Sequence, residues 1–159
     1  MPIPVGITAP DITLMDETNT ARSLSDFRGK VIVLYFYPRD DTSGCTMEAC
    51  DFRDDYSAYQ KAGIVILGIS PDSSQSHAKF LEKHHLPFPL LADEGHTVCD
   101  LYGVWGIKIV NGRQLQGVLR TTFLIDPYGK IIHVFKNVTP AKHSKEVLAT
   151  LRSYYTNVK

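Results

Sequence analysis

Val31-Ile32-Val33-Leu34-Tyr35-Phe36-Tyr37 is an unbroken run of β-branched, aliphatic and aromatic residues, closed by Pro38. A short run with no polar alternation reads as a central strand covered on both faces. Ile64-Val65-Ile66-Leu67-Gly68-Ile69 repeats the pattern after Gly63. Between the two, Ala49, Phe52, Tyr56 and Tyr59 recur at steps of three and four, the apolar stripe of one helix. Strand, helix and strand with short joints make a βαβ unit, which implies a parallel pair and a right-handed crossover.

A second helix is expected after Ser70-Pro71-Asp72, capped by Asp72 or Ser73, with Phe80 and Leu81 facing inward. Thr121–Ile125 and Ile131–Phe135 flank Asp126-Pro127-Tyr128-Gly129, a hairpin with its turn. Thr139-Pro140 marks a helix start, and Val147, Leu148, Leu151, Tyr154 and Tyr155 supply that helix with one apolar face. This order describes an α/β sandwich with a mixed central sheet flanked by helices, and the thioredoxin-like fold is its commonest solution. No repeat, low-complexity segment or linker divides the 159 residues, so 1–159 is expected to be a single domain.

Composition removes several classes of function. Hydrophobic residues make up 43% and charged residues 21%, which excludes a disordered chain. Lys plus Arg and Asp plus Glu each number 17, so the net charge is zero, with no general attraction to nucleic acid or anionic membrane. Met1–Gly6 has no basic n-region followed by an apolar stretch, and Val31–Tyr37 falls well short of the about 18 apolar residues of a membrane span. A soluble cytoplasmic protein is expected. Three cysteines are too few for a disulfide scaffold, and in a reducing compartment they point to reactivity or metal binding.

Pro38-Arg39-Asp40-Asp41-Thr42-Ser43-Gly44-Cys45-Thr46-Met47-Glu48-Ala49-Cys50 joins the first strand to its helix. Ligands of open α/β sheets bind beyond the carboxyl ends of strands, where this segment lies. Asp41, Thr42 and Ser43 are all good N-caps, which places Cys45 in the first helical turn. There, free N–H groups and the positive dipole end favour a thiolate. An ordinary cysteine is only about 3% thiolate at pH 7, whereas helix N-terminal ones can titrate at roughly 3.5–7.5. Cys45 also shares the apolar stripe, so a buried core cysteine is the competing reading. Cys50 lies about 140° round the helix and about 8.7 Å away between Cα atoms. A disulfide needs Cα atoms within about 7 Å, so either the two never meet or the first turns unwind.

Pro38-x-x-x-Thr42-x-x-Cys45 resembles the peroxiredoxin active-site signature, and Cys45-x4-Cys50 is similar to the bacterioferritin-comigratory-protein (peroxiredoxin Q) subfamily. The resemblance covers nearly the whole chain. It runs from Gly6-x-x-Ala9-Pro10, in an N-terminal extension, through Phe27-Arg28-Gly29-Lys30 and Leu91-Ala92-Asp93. It continues through Tyr102-Gly103-Val104-Trp105-Gly106 to Arg120-Thr121-Thr122-Phe123-Leu124-Ile125-Asp126. It implies an antioxidant thiol peroxidase for hydrogen peroxide and small organic hydroperoxides. Cys45 would be the peroxidatic cysteine, Thr42 would hydrogen-bond substrate or thiolate, and Pro38 would wall the pocket against water. Arg120 would hold the thiolate and polarise the departing oxygen, and Glu48 would be either a partner for an arginine or a solvated carboxylate on the helix face. Cys50 would resolve the sulfenic acid as a disulfide. A thioredoxin-type dithiol would reopen that disulfide, with no cofactor or metal, in a monomer or weak homodimer.

Cys99, between Val98 and Leu101 in a short helix, is expected to line the core; a resolving or regulatory role is its alternative. Three competing functions fit less well. The six histidines, His77, His84 and His85 among them, stand among Asp, Lys and Glu and are expected on solvated faces. No second Cys or His pair at ligand spacing completes a zinc site with Cys45-x4-Cys50. A thioredoxin-type dithiol oxidoreductase would need Cys-x-x-Cys, which is missing. A non-catalytic binding module on the same fold is expected to lack Thr42, Cys45 or Arg120, and all three are present.

Overall fold

The computed structural model describes residues 1–158. In chain order the elements are β1 (Thr13–Met15), β2 (Ala21–Ser23), β3 (Val31–Phe36), α1 (Ser43–Asp54), α2 (Tyr56–Lys61), β4 (Ile64–Ser70) and α3 (Ser74–His84). There follow β5 (Leu90–Ala92), α4 (Thr97–Leu101), β6 (Trp105–Val110), β7 (Arg113–Val118), β8 (Thr121–Ile125), β9 (Ile131–Phe135) and α5 (His143–Val158). Seven strands form a mixed sheet in the order β2-β1-β5-β4-β3-β8-β9, and β6 and β7 pair separately. β3 runs parallel to β4 and antiparallel to β8, which confirms the βαβ reading and sets the opening run deep within the sheet.

Alternate residues of β3, and Tyr37 just beyond it, face two different cores. Ile32, Leu34 and Phe36 pack with Leu67, Tyr102 and Phe123 on one face. Val33, Tyr35 and Tyr37 pack with Ala49, Phe52 and Phe80 on the other, under α1, α2, α3 and α5. Double burial is why the run shows no polar alternation. Gly68 lies opposite Tyr35 in the parallel register, and a Cβ there would stand 2.9 Å from the Tyr35 ring. The glycine gives that ring its room.

Several expectations need correction. The striped helix is two helices, broken at Asp55 (φ −96°, ψ 6°), and Tyr56 beyond the break is only half-buried. The last helix starts at His143 rather than at Thr139-Pro140. Lys142 takes φ +63°, and its N–H donates to Asp51 Oδ2 at 3.0 Å, so the chain turns before it coils. Leu101 is 50% exposed and packs no core, although Val98 and Cys99 beside it are buried. Ser73 caps α3, accepting from Ser76 N–H at 3.1 Å, in agreement with the sequence. His77 and His143 are buried, not solvated. Each ring has polar partners on other elements that a sequence pattern does not display: Asp40 and the Leu91 carbonyl for His77, Thr122 for His143.

Candidate active site

β3 delivers the chain through Tyr37 and Pro38 into a short loop that ends at the first turn of α1. Thr42 is the N-cap in extended conformation (φ −86°, ψ 156°). The first backbone bond of the helix runs from Thr46 N–H to Thr42 C=O at 2.8 Å. Ser43, Gly44 and Cys45 are thus the residues whose N–H groups precede the helical ladder. Cys45 is the third helical residue and is 1% exposed.

Arg120 arrives from the link between β7 and β8. Its Nη2 donates to Cys45 Sγ at 3.3 Å and its Nη1 to Glu48 Oε1 at 2.7 Å. The guanidinium therefore bridges two side chains of α1 spaced nearly one turn apart, a fork geometry that lysine cannot reproduce. Gly44 eases the approach, since a side chain there would make the guanidinium give by a few tenths of an ångström. A Cβ at that position would lie 3.3 Å from Arg120 Nη2 and 3.4 Å from Pro140 Cγ. On β6, half-buried Lys108 brings a second cation: burial, then the charge on Arg120, hold its ammonium below the ordinary range, with Cys45 opposing.

Glu48 is fully buried, and among the described residues its Oε2 has no hydrogen-bond partner; the buried Tyr35 hydroxyl has none there either. Burial pushes the Glu48 carboxyl up to about 7, with the charge and hydrogen bond of Arg120 opposing. The folded protein thus keeps a proton that the unfolded chain releases from about its ordinary 4.5 upward. Stability from this group is full at low pH and is lost as pH rises through 7, by up to about 3 kcal/mol. Glu48→Gln keeps an acceptor for Arg120 and is expected to remove this decline. Urea unfolding of both proteins between pH 4 and 8 measures the difference, and parallel curves would contradict it.

The other candidates fall unevenly around this pair. Thr42 is exposed, and its hydroxyl donates to the Arg39 carbonyl at 3.0 Å rather than to the sulfur. Pro38 is half-buried where the loop leaves the sheet. Cys50 lies farther along α1, half-buried and unpaired, and burial pushes its thiol above the ordinary range. Cys45 and Cys50 share one intact helix, on which ideal geometry sets Cα atoms five residues apart about 8.7 Å from each other. Cys99 is buried in the core on the opposite face of the sheet from Cys45. Burial also drives its thiol far upward. Among the described residues one set of potential metal ligands gathers, Asp40, Asp72 and His77, with atoms within 4.8 Å of one another. Their hydrogen bonds already engage each other: Nδ1 of His77 is 2.7 Å from Asp40 Oδ2.

Sequence reading missed Gly44 and the buried Asp40–His77 contact. A glycine in the first turn of a helix was the available signal for the former. Nothing local signals the latter, because the partners are 37 residues apart.

Residues 5–134 match the model of the AhpC/TSA family. Peroxiredoxin Bcp of Bacillus subtilis (strain 168) is 46% identical over 152 residues, covering 96% of this chain and 97% of the relative. A PrxQ mutant of Xylella fastidiosa superposes with a TM-score of 0.90 at 32% identity, over 96% of this chain and 98% of that one. The bacterioferritin comigratory protein of Xanthomonas campestris, studied for alkyl peroxide reduction through trapped intermediate and ligand complexes, gives 0.85 at 36% identity, over 90% and 91%. Sequence, fold and the cysteine at the head of α1 agree, and the chain belongs to the AhpC/TSA family as a peroxiredoxin of the Bcp (peroxiredoxin Q) branch, a thiol-dependent peroxidase.

Proposed function

We propose that Cys45 is the peroxidatic nucleophile of a two-cysteine cycle. The Cys45 thiolate attacks the nearer oxygen of a hydroperoxide, the O–O bond breaks, and the departing alkoxide or hydroxide takes up a proton. Cysteine becomes sulfenic acid, and the peroxide becomes an alcohol or water. The observation that carries the reading is the Arg120 guanidinium 3.3 Å from Cys45 Sγ at the start of a helix. Negative charge leaves sulfur and develops on oxygen in the transition state, and fixed donors in a site closed to water stabilise it best. Pro38 walls this site, and Thr42 orients the peroxide once its hydroxyl leaves Arg39.

Cys50 then attacks the sulfenic sulfur, water leaves, and a Cys45–Cys50 disulfide forms. The first turns of α1 unwind to let the sulfurs meet. A thioredoxin-type dithiol reduces the disulfide by exchange and restores both thiols. Hydrogen peroxide and small organic hydroperoxides are the substrates; the alkyl peroxide reduction of the Xanthomonas relative supports the organic ones. A zero net charge suits so small and uncharged a substrate. Antioxidant work in a reducing cytoplasm, as a monomer or weak homodimer, fits this cycle. No helix among the described residues is long and apolar enough to cross a membrane.

Cys50→Ser tests the cycle. One equivalent of peroxide should still be consumed, because the nucleophile is intact. Thioredoxin-driven multiple turnover should fall by at least about tenfold, because the exchangeable disulfide cannot form. Unchanged turnover would assign resolution to an external thiol or to Cys99.

A further inference from the structure

The loop carrying Pro38 and Thr42 is anchored at Asp40, whose side chain is 4% exposed. Tyr37 donates its hydroxyl to Asp40 Oδ1 at 2.6 Å. On α3, Ser76 donates to Oδ2 at 2.8 Å, and His77 places Nδ1 2.7 Å from the same oxygen. The Asp40 N–H donates to Asp72 Oδ2 at 2.8 Å, an oxygen that also accepts from Ser70 at 2.7 Å. His77 is fully buried, with Nε2 2.9 Å from the Leu91 carbonyl of β5. The carboxyl ends of β3 and β4, together with β5 and α3, thus converge on one loop residue.

The hydrogen positions follow from the partners. A carbonyl only accepts, so His77 Nε2 carries a hydrogen toward Leu91. Nδ1 faces a carboxyl oxygen at 2.7 Å, so one hydrogen is held between Nδ1 and Oδ2. The next residue, Asp41, has φ +60°, in the left-handed region that non-glycine residues avoid. Such a conformation persists where its surroundings over-determine it. The buried Asp40 precedes it in the chain, and Lys83 Nζ donates to Asp41 Oδ2 at 2.9 Å in an exposed pair. The residue after Asp41 is Thr42, tied by its hydroxyl to the Arg39 carbonyl just before Asp40. The backbone from Arg39 to Thr42 is thus held chiefly through the buried Asp40, while the Thr42 hydroxyl stays free to turn from Arg39 toward a peroxide.

We propose that Asp40 and His77 are a positioning pair for the peroxide step. Through the loop backbone they hold Thr42 and the first turn of α1 in the arrangement that receives peroxide at Cys45. This rests on the assignment of Cys45 as nucleophile. Neither residue touches the reacting atoms. Asp40 lies before the segment that unwinds toward Cys50, so the anchor serves the peroxide half-reaction and leaves reduction of the disulfide alone.

The test compares Asp40→Ala and Asp40→Asn in the full chain. Each is measured for kcat/KM with hydrogen peroxide and for the rate at which thioredoxin reduces the preformed disulfide. Asn keeps the geometry: Oδ1 still accepts from Tyr37, and Nδ2 donates to His77 Nδ1 and, with the serine hydroxyl turned, to Ser76 Oγ. Asp40→Ala should lower the peroxide kcat/KM by about ten- to a hundredfold, the scale of a misplaced site. Disulfide reduction should change by less than about threefold, and Asp40→Asn should recover most of the loss. Should the alanine variant not fold, Tyr37→Phe and Ser76→Ala each remove one bond to Asp40, and each should slow the peroxide step alone by about two- to fivefold. A folded Asp40→Ala, or both milder variants, at the wild-type peroxide rate would overturn the proposal, as would equal losses in both half-reactions. Cys45→Ser in the same assay separates the two layers. Activity there sinks the nucleophile assignment, whereas an inactive Cys45→Ser beside an unimpaired Asp40→Ala sinks only the anchor.

Discussion

Cys45→Ser abolishes peroxide consumption in the expected result, with kcat/KM falling by roughly 10⁴-fold or more. A serine hydroxyl fills nearly the same space but does not ionise near neutral pH, so the Arg120 Nη2 that now meets sulfur at 3.3 Å would face a poor nucleophile. Neither remaining cysteine is placed to substitute. The Cys50 thiol is pushed up by burial and has no guanidinium bonded to it. Cys99 lies in the other core, with the sheet between it and the candidate site. Peroxide loss followed with substrate in excess measures the effect. Retention of most of the activity would place the chemistry at another residue and sink the mechanism.

Arg120→Ala is expected to cost about 10²–10³ in kcat/KM, the scale seen when one preorganised donor to a developing oxyanion is lost. Two effects combine. The sulfur loses its only side-chain donor among the described residues, and Glu48 loses the opposing charge that limits its rise to about 7. Glu48 is fully buried, so at pH 8 it must then either take up a proton or stand uncompensated. A stability loss of about 1–3 kcal/mol is expected at pH 8. Near pH 5 the loss should shrink, because Glu48 is then protonated in both proteins. Arg120→Lys should recover only part of the activity, since one ammonium cannot donate to Cys45 and Glu48 in the same fork. Equal stability losses at both pH values would contradict the electrostatic account of the Glu48–Arg120 pair.

How much of this was legible in the sequence depended on where each residue's partners lie. Val31–Tyr37 was readable because both faces of β3 are buried, which leaves an apolar run and nothing else. The hairpin of β6 and β7 went unread for the converse reason. Ile107, Ile109 and Leu115 are exposed, so their pattern carries no record of a buried face. The break at Asp55 and the late start at His143 coincide with tertiary contacts that no local pattern displays, Lys145 to Asp55 and Thr122 to His143. At the site, the capping residues before Cys45 pointed to a thiol at a helix start from local chemistry alone. Arg120 stands 75 residues from Cys45 and entered only through the resemblance to peroxiredoxins. Glu48 could not be told from a solvated carboxylate until its burial was seen. His77 was misread because charged sequence neighbours indicate a solvated stretch, whereas the ring itself turns inward to Asp40.

In the proposed cycle Cys45 is oxidised by peroxide and resolved by Cys50. Peptide mapping by mass spectrometry, after one equivalent of hydrogen peroxide and with thiol exchange quenched, tests it most directly. The expected result is a Cys45–Cys50 disulfide with Cys99 still a free thiol. A disulfide that includes Cys99, or a Cys45 left reduced while peroxide is consumed, would contradict it.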